Sequence, residues 1–184
     1  MTLPGISQCL ALPETGSTQE VARYLANRGA PDHTLVWAER QNAGKGRLGR
    51  RWESPPGGLY FSLVLRPRFP PSRLADLSLL SAQAAAAALS RLAGVKTEVK
   101  PPNDVLVEHK GRAKKICGIL AEASGGSRGV DWVVLGVGIN VNNKVPALPE
   151  AASLKSVTGR EWDLEQVLAA FLREFEARYA SFGV

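Results

Sequence analysis

The segment from Ser72 or Arg73 to Leu92 constrains this chain most, because it reads as a long helix that needs a flat surface to cover. Leu74, Leu77, Leu80, Ala84, Ala88 and Leu92 recur at intervals of three and four residues, the spacing of one helical face. Five consecutive alanines, Ala84 to Ala88, favour helix and let its backbone approach a sheet closely. Gly94 supplies the stop.

The strands for such a sheet are legible on both sides. Thr34 to Glu39 is β-branched and aromatic, and Leu59 to Leu65 is nearly all apolar, as a strand buried on both faces would be. Thr97 to Lys100 is a short strand. Val105 to His109 and Lys114 to Ala123 form a hairpin about a tight turn at Lys110-Gly111. Ser124 to Gly129 reads as a loop, and Val130 to Val141 as a further strand. Gly136 and Gly138 lie inside that strand, which weakens it unless something approaches its backbone closely. Met1 to Leu12 is a lead-in ending in an edge strand.

Two more helices are expected. Ser17 and Glu20 have the spacing of a capping box, before a helix that puts Val21, Tyr24 and Leu25 on one side and ends at Gly29. Asp163 caps Leu164 to Tyr179, where Leu164, Val167, Leu168, Phe171, Leu172, Phe175 and Tyr179 share a face. The stretch after Pro146 and Pro149 reads as irregular. These elements predict an α+β fold, a mixed and mostly antiparallel sheet with helices packed on one face. With no repeat, low-complexity tract or linker, residues 1–184 are expected to form a single domain.

Charge then separates classes of function. The net charge is +6, but residues 40–51 alone carry +5 and residues 96–115 carry +3, leaving −2 on the remainder. Net positive charge localised to two segments describes a pocket rather than the coat or tail of a general nucleic-acid binder. The first segment interleaves Gly44, Gly46 and Gly49 with Lys45, Arg47, Arg50 and Arg51, a supple loop rich in charge-assisted donors for anionic oxygens. Trp52 closes it. Ser17 and Thr18 are caps by default, although helix N-termini also bind anions and polar groups.

Other chemistry is poorly supplied. The two histidines, His33 and His109, have no triad-like context, and no Cys/His/Asp/Glu cluster has metal-ligand spacing. Gly44 to Gly49 matches GxGxxG as letters, but not between a strand and a helix. Cys9 and Cys117 read as buried free thiols. With no apolar run long enough for a membrane span and no signal peptide, the cytoplasm is the default location and no membrane partner is expected. What remains suits positioning and charge neutralisation at a phosphate.

Four blocks turn this into a resemblance: Gln41 to Trp52 (QNAGKGRLGRRW), Lys100 to Asp104 (KPPND), Lys114 to Glu122 (KKICGILAE) and Gly136 to Asn140 (GVGIN). In order and spacing they resemble the signature blocks of biotin protein ligases, a class II synthetase-like catalytic domain, and Ser17-Thr18 resembles the upstream Ser-Thr of that family. The resemblance implies activation of biotin with ATP and Mg2+ to biotinyl-5′-adenylate, then transfer to a lysine of a biotin carboxyl carrier protein. It implies that Ser17, Thr18 and Gln41 meet the biotin head group, with Gly44, Lys45, Arg47, Lys115, Gly118 and Gly138 also around biotin. Arg47, Arg50, Trp52, Asn103, Lys115 and Asn140 would face ATP or the adenylate. Lys115, Arg47 and Asp104 would carry the chemistry, Asp104 placing the metal or the incoming lysine.

Two departures qualify what the resemblance implies. Pro101 stands where the family usually has tryptophan, which removes an aromatic wall. The sequence also has neither the family's small C-terminal β-barrel nor an N-terminal helix-turn-helix, so DNA binding is not expected and carrier docking is the less secure half of the reaction. A homodimer is compatible with this reading. A lipoate or octanoyl ligase is the nearest alternative, and a basic nucleic-acid-binding module the non-enzymatic one.

Overall fold

A computed structural model describes residues 3–126, 129–145 and 150–182. Seven strands form one sheet in the order β1-β2-β3-β7-β6-β5-β4. They are β1 (Gln8–Leu12), β2 (Thr34–Ala38), β3 (Leu59–Leu65), β4 (Thr97–Lys100), β5 (Asp104–His109), β6 (Arg112–Gly126) and β7 (Gly129–Ile139). Only β1 and β2 pair in parallel among these strands; the other neighbours are antiparallel. Among the described residues four α-helices accompany them: α1 (Thr18–Asn27), α2 (Leu74–Ala93), α3 (Leu154–Thr158) and α4 (Leu164–Tyr179). The expected α+β class and mixed sheet are what the chain adopts.

The pleat divides the core in two. Leu63 and Leu65 of β3 and Val133 and Leu135 of β7 point toward α2 and α4, joining Leu77, Ala84, Ala88 and Phe171 in the larger cluster. The alternate residues Val64 and Val134 meet Ala22 and Ala26 of α1, with Val36, in a smaller one. The two long helices therefore share a face, as expected, but α1 lies on the opposite one. The inward face of α1 is rotated from the expected one: Val21 and Leu25 do pack against this cluster, but Tyr24 does not. Ala22 and Ala26 are buried while Tyr24 is 57% exposed, because a helix this close to a sheet turns its smallest residues inward.

Several boundaries shift. Ser124 to Gly126, expected in a loop, continue the β6–β7 ladder, where Ser124 faces Trp132 and Gly126 faces Gly129. Gly125 sits at a register shift so close to β7 that a Cβ would meet the Val130 Cα at 2.8 Å. Lys110 and Gly111 both take positive φ, 52° and 74°, as the tight hairpin turn requires. Helix α3 breaks the stretch expected to be irregular; the Ser153–Ser156 capping box starts it and Gly159 (φ 77°) ends it. Pro146 and Pro149 lie outside the described residues. Cys117 is buried as expected, and burial raises its pKa, but Cys9 is exposed on the edge strand. No helix among the described residues is long and apolar enough to cross a membrane.

His33 ties the start of β2 to α4. Its Nδ1 lies 3.1 Å from Asp32 Oδ2 and its Nε2 3.2 Å from Glu176 Oε1, and it holds a left-handed φ of 59°. The hydrogen bond to Asp32, then that to Glu176, push its pKa up from 6.5 to about 10. A histidine whose pKa is raised by folding stabilises fully below its unfolded pKa and loses that contribution as pH climbs through the folded one. Urea unfolding should therefore show stability falling from about pH 6.5 to 10. His33→Asn, which tolerates the left-handed backbone, should flatten that slope. An unchanged slope would assign it to other groups.

Candidate active site

The site lies on the α1 face of the sheet, where two neighbouring strands, β6 and β7, present glycine. Across β3, β7 and β6, Tyr60, Gly138 and Gly118 form one row, and Ser62, Gly136 and Leu120 the next. Missing side chains leave a trough, roofed at one end by the N-terminus of α1 and at the other by the glycine-cation loop. A pocket results.

Its closed end is polar. Ser17 is the N-cap of α1, its Oγ accepting the Gln19 N–H at 3.3 Å. Gln41 Oε1 accepts the Thr18 N–H at 2.8 Å and lies 3.1 Å from Thr18 Oγ1, while Gln41 Nε2 donates to Ser54 Oγ at 2.8 Å. Thr18 Oγ1 is 3.0 Å from Ser62 Oγ, which donates to Gln19 Oε1 at 3.0 Å. All of Ser17, Thr18, Gln19 and Ser62 are buried, so this network is held away from competing water.

At the other end Trp52 and Lys115 form a wall. The Trp52 indole lies across the trough: a Cβ on Gly138 would meet its Nε1 at 2.5 Å, and one on Gly118 its Cζ3 at 2.9 Å. Lys115 Nζ sits 5.2 Å from the indole centre and 2.7 Å from Asp104 Oδ1. The β5–β6 register shift places Lys115 there, and its backbone is fixed by its N–H to Glu150 O (2.7 Å) and its carbonyl from Ala152 N–H (3.0 Å). Beyond the wall is a second pocket that includes Arg47, Arg50, Arg51, Asn103, Asp104 and Asn140. Arg47, Trp52, Asn103 and Lys115 line both. A pocket with a polar end thus abuts a cationic one, with an ammonium at the boundary.

The loop between the pockets is fastened at two points. Arg47 Nη1 donates to Asn103 Oδ1 at 3.0 Å, and Lys45 Nζ pairs with Glu20 Oε1 at 2.7 Å. Glu20 therefore pairs with the loop instead of completing the expected capping box. Leu48, at the loop tip, takes φ 56° and is 87% exposed.

The structure brings together Ser17, Thr18, Gln41, Lys45, Arg47, Trp52, Asn103, Lys115, Gly118 and Gly138 around the first pocket. Arg50, Asp104 and Asn140 line only the second. Asn140 Oδ1 also accepts from Asn143 Nδ2 at 3.0 Å. Gly44 lines neither. It accepts the Trp52 N–H at 2.9 Å, and a Cβ there would run into the Trp52 carbonyl oxygen, so its place is in closing the loop on itself. Gln19, Ser62 and Gly136 line the first pocket too, although no motif marks Gln19 or Ser62 as a site residue. Ser62 is the one hydroxyl in an otherwise apolar buried strand apart from Tyr60, and that is the available signal.

Comparison with known proteins identifies the family. The model of the biotin/lipoate A/B protein ligase family matches residues 12–140. A biotin--[acetyl-CoA-carboxylase] ligase of Paracoccus denitrificans is 34% identical over 183 residues, covering 94% of this chain and 74% of that one. The bifunctional ligase/repressor BirA of Bacillus subtilis (strain 168) is 40% identical over 172 residues, 90% of this chain and 52% of the relative. The chain thus spans about half the length of such ligase/repressors. Among solved structures, the biotin protein ligase from Aquifex aeolicus in complex with biotin and ATP superposes with a TM-score of 0.81 at 33% identity, covering 97% of this chain and 72% of that one. The match over residues 12–140 takes in the α1 cap, the cationic loop and Lys115, and by it this chain belongs to the biotin/lipoate A/B protein ligase family.

Proposed function

We propose that this chain activates biotin with ATP to biotinyl-5′-adenylate, releasing pyrophosphate, and passes biotin to a lysine of a biotin carboxyl carrier protein such as an acetyl-CoA carboxylase subunit. The observation that carries this reading is the shared wall: Lys115 belongs to the pocket with the polar end and to the cationic one. A carboxylate whose head group fills the first meets a phosphate chain in the second at one ammonium.

In the first step a biotin carboxylate oxygen attacks the α-phosphorus and the bond to the β-phosphate bridging oxygen breaks. Negative charge grows on the non-bridging oxygens, and a preorganised cation beside them lowers the barrier. Lys115 is that cation, steered by Asp104 and the Trp52 ring. Arg47 and Arg50 face the triphosphate. Trp52, Asn103 and Asn140 take the adenylate side. Ser17, Thr18 and Gln41 hold the head group, and Gly118 and Gly138 admit the acyl chain. Lys45 and Arg47, through Glu20 and Asn103, hold the loop over the product and exclude water. In the second step the carrier amine attacks the acyl carbon and AMP leaves; Asp104 is placed to orient that amine.

Among the described residues no group of three His, Cys, Asp or Glu side chains could cage a metal. A single carboxylate, Asp104, fits a Mg2+ ion that enters on the nucleotide with most of its ligands from phosphate and water. Such an ion supplies charge neutralisation at the phosphates.

The test is biotin-dependent pyrophosphate release from ATP, scored separately from biotin transfer to a carrier domain, with calorimetric titrations of biotin and lipoate. Tight lipoate binding with none for biotin would replace this reading by a lipoate ligase.

A further inference from the structure

Gln19 and Ser62 stand behind the polar end of the pocket. We infer that Gln19 is a positioning residue that fixes the direction of the protons there, so that the pocket offers one acceptor and one donor side by side and selects a head group with N–H next to C=O. This rests on biotin, whose ureido ring has that edge, being the substrate.

The Gln19 carboxamide is buried, and its Nε2 donates to two strand carbonyls, Val134 O at 3.0 Å and Leu120 O at 3.5 Å. Two carbonyl oxygens can be met only by an NH2 group, so the amide has one allowed orientation, with Oε1 toward Ser62. Gly136 gives it the room, since a Cβ there would collide with Gln19 Oε1. A carboxamide oxygen only accepts, so the single Ser62 proton goes to Gln19. Ser62 then has nothing to give Thr18, 3.0 Å away. Thr18 sends its own proton inward, to Ser62 or to Gln41 Oε1. On either course its lone pairs are left facing the pocket, and Thr18 Oγ1 is an acceptor for a ligand N–H.

Ser17 is the complement. Its Oγ accepts the Gln19 backbone N–H, so its hydroxyl proton is available for a ligand carbonyl. Gln19 therefore governs both groups, Ser17 through its backbone and Thr18 through its side chain. If Gln19 Oε1 were withdrawn, the Ser62 proton would turn to Thr18 and take one of its two lone pairs, which weakens Thr18 Oγ1 as an acceptor for the ligand N–H.

The experiment compares equilibrium binding of biotin with that of an analogue in which one ureido N–H is replaced by CH2. The wild type should prefer biotin by ~30-fold, the scale of one buried group left unpaired. Gln19→Met, close in shape but without polar atoms, should reduce that preference to a few-fold. Gly136→Ala, which forces the Gln19 oxygen off Ser62 while keeping the amide, should do the same and serves if Gln19→Met does not fold. Adding Ser62→Ala to either variant removes the competing proton and should recover the preference, which a merely structural role would not do. An unchanged preference in the folded single variants overturns the inference. A wild type that binds neither compound instead removes the biotin reading beneath it.

Discussion

Lys115→Ala should lower the rate of biotin adenylation by ~10²–10³-fold, about 3–4 kcal/mol of transition-state stabilisation lost with one preorganised charged donor. The arrangement argues for a large effect for two reasons. Lys115 is, with Arg47, a cation common to both pockets, and it is steered by a carboxylate at 2.7 Å and an indole at 5.2 Å. Removing it also leaves Asp104 facing the phosphates with its charge uncompensated. The double variant Lys115→Ala/Asp104→Asn should therefore recover part of the loss. Stability should barely respond: the Lys115 side chain is 35% exposed, and pairs so placed contribute under about 1 kcal/mol. Single-turnover pyrophosphate release with a parallel thermal melt separates the two readouts. A variant that keeps near wild-type rate would remove Lys115 from the chemistry.

Phe171→Ala should show the opposite pattern, a loss of about 3–5 kcal/mol in unfolding free energy with adenylation intact at low temperature. Phe171 is fully buried, edge-on to Phe61 (5.2 Å, 67°) and stacked on Phe175 (5.8 Å, 12°). It therefore bridges β3 and α4, and its truncation opens a cavity that the rigid sheet cannot collapse to fill. The site is spared because it lies on the other face, under α1. The midpoint of urea unfolding measures the first half and pyrophosphate release the second. A loss below about 1 kcal/mol would mean that α4 slides in to refill the space.

Much of this is legible in the amino-acid sequence where a local rule decides the outcome. Helix α2 has its repeat and Gly94, and the Lys110-Gly111 turn has residues that accept positive φ. The cationic loop and Lys115 are marked by motif. What stays hidden depends on contacts distant in sequence. Which face of α1 is buried is decided by closeness to the sheet, where Ala22 and Ala26 fit and Tyr24 does not. The β6–β7 ladder runs through Gly125 and Gly126, because cross-strand pairing outweighs the preference of glycine for loops. The five-residue α3 is too short to show a period. At the site, Gln19 reads as a helix residue; that it reaches Ser62, 43 positions away, needs the sheet to be assembled.

The wall between the pockets has a further consequence. Trp52 and Lys115 cannot be arranged for the occupant of one pocket without altering the surface met by the occupant of the other. Affinities at the two sites are then linked by a single coupling free energy, equal in both directions. Whatever factor a nucleotide gains when the head-group pocket is already filled, the head-group ligand gains when the nucleotide is bound. If the proposed function holds, the indole lying over Gly118 and Gly138 is what would couple the two adjoining pockets.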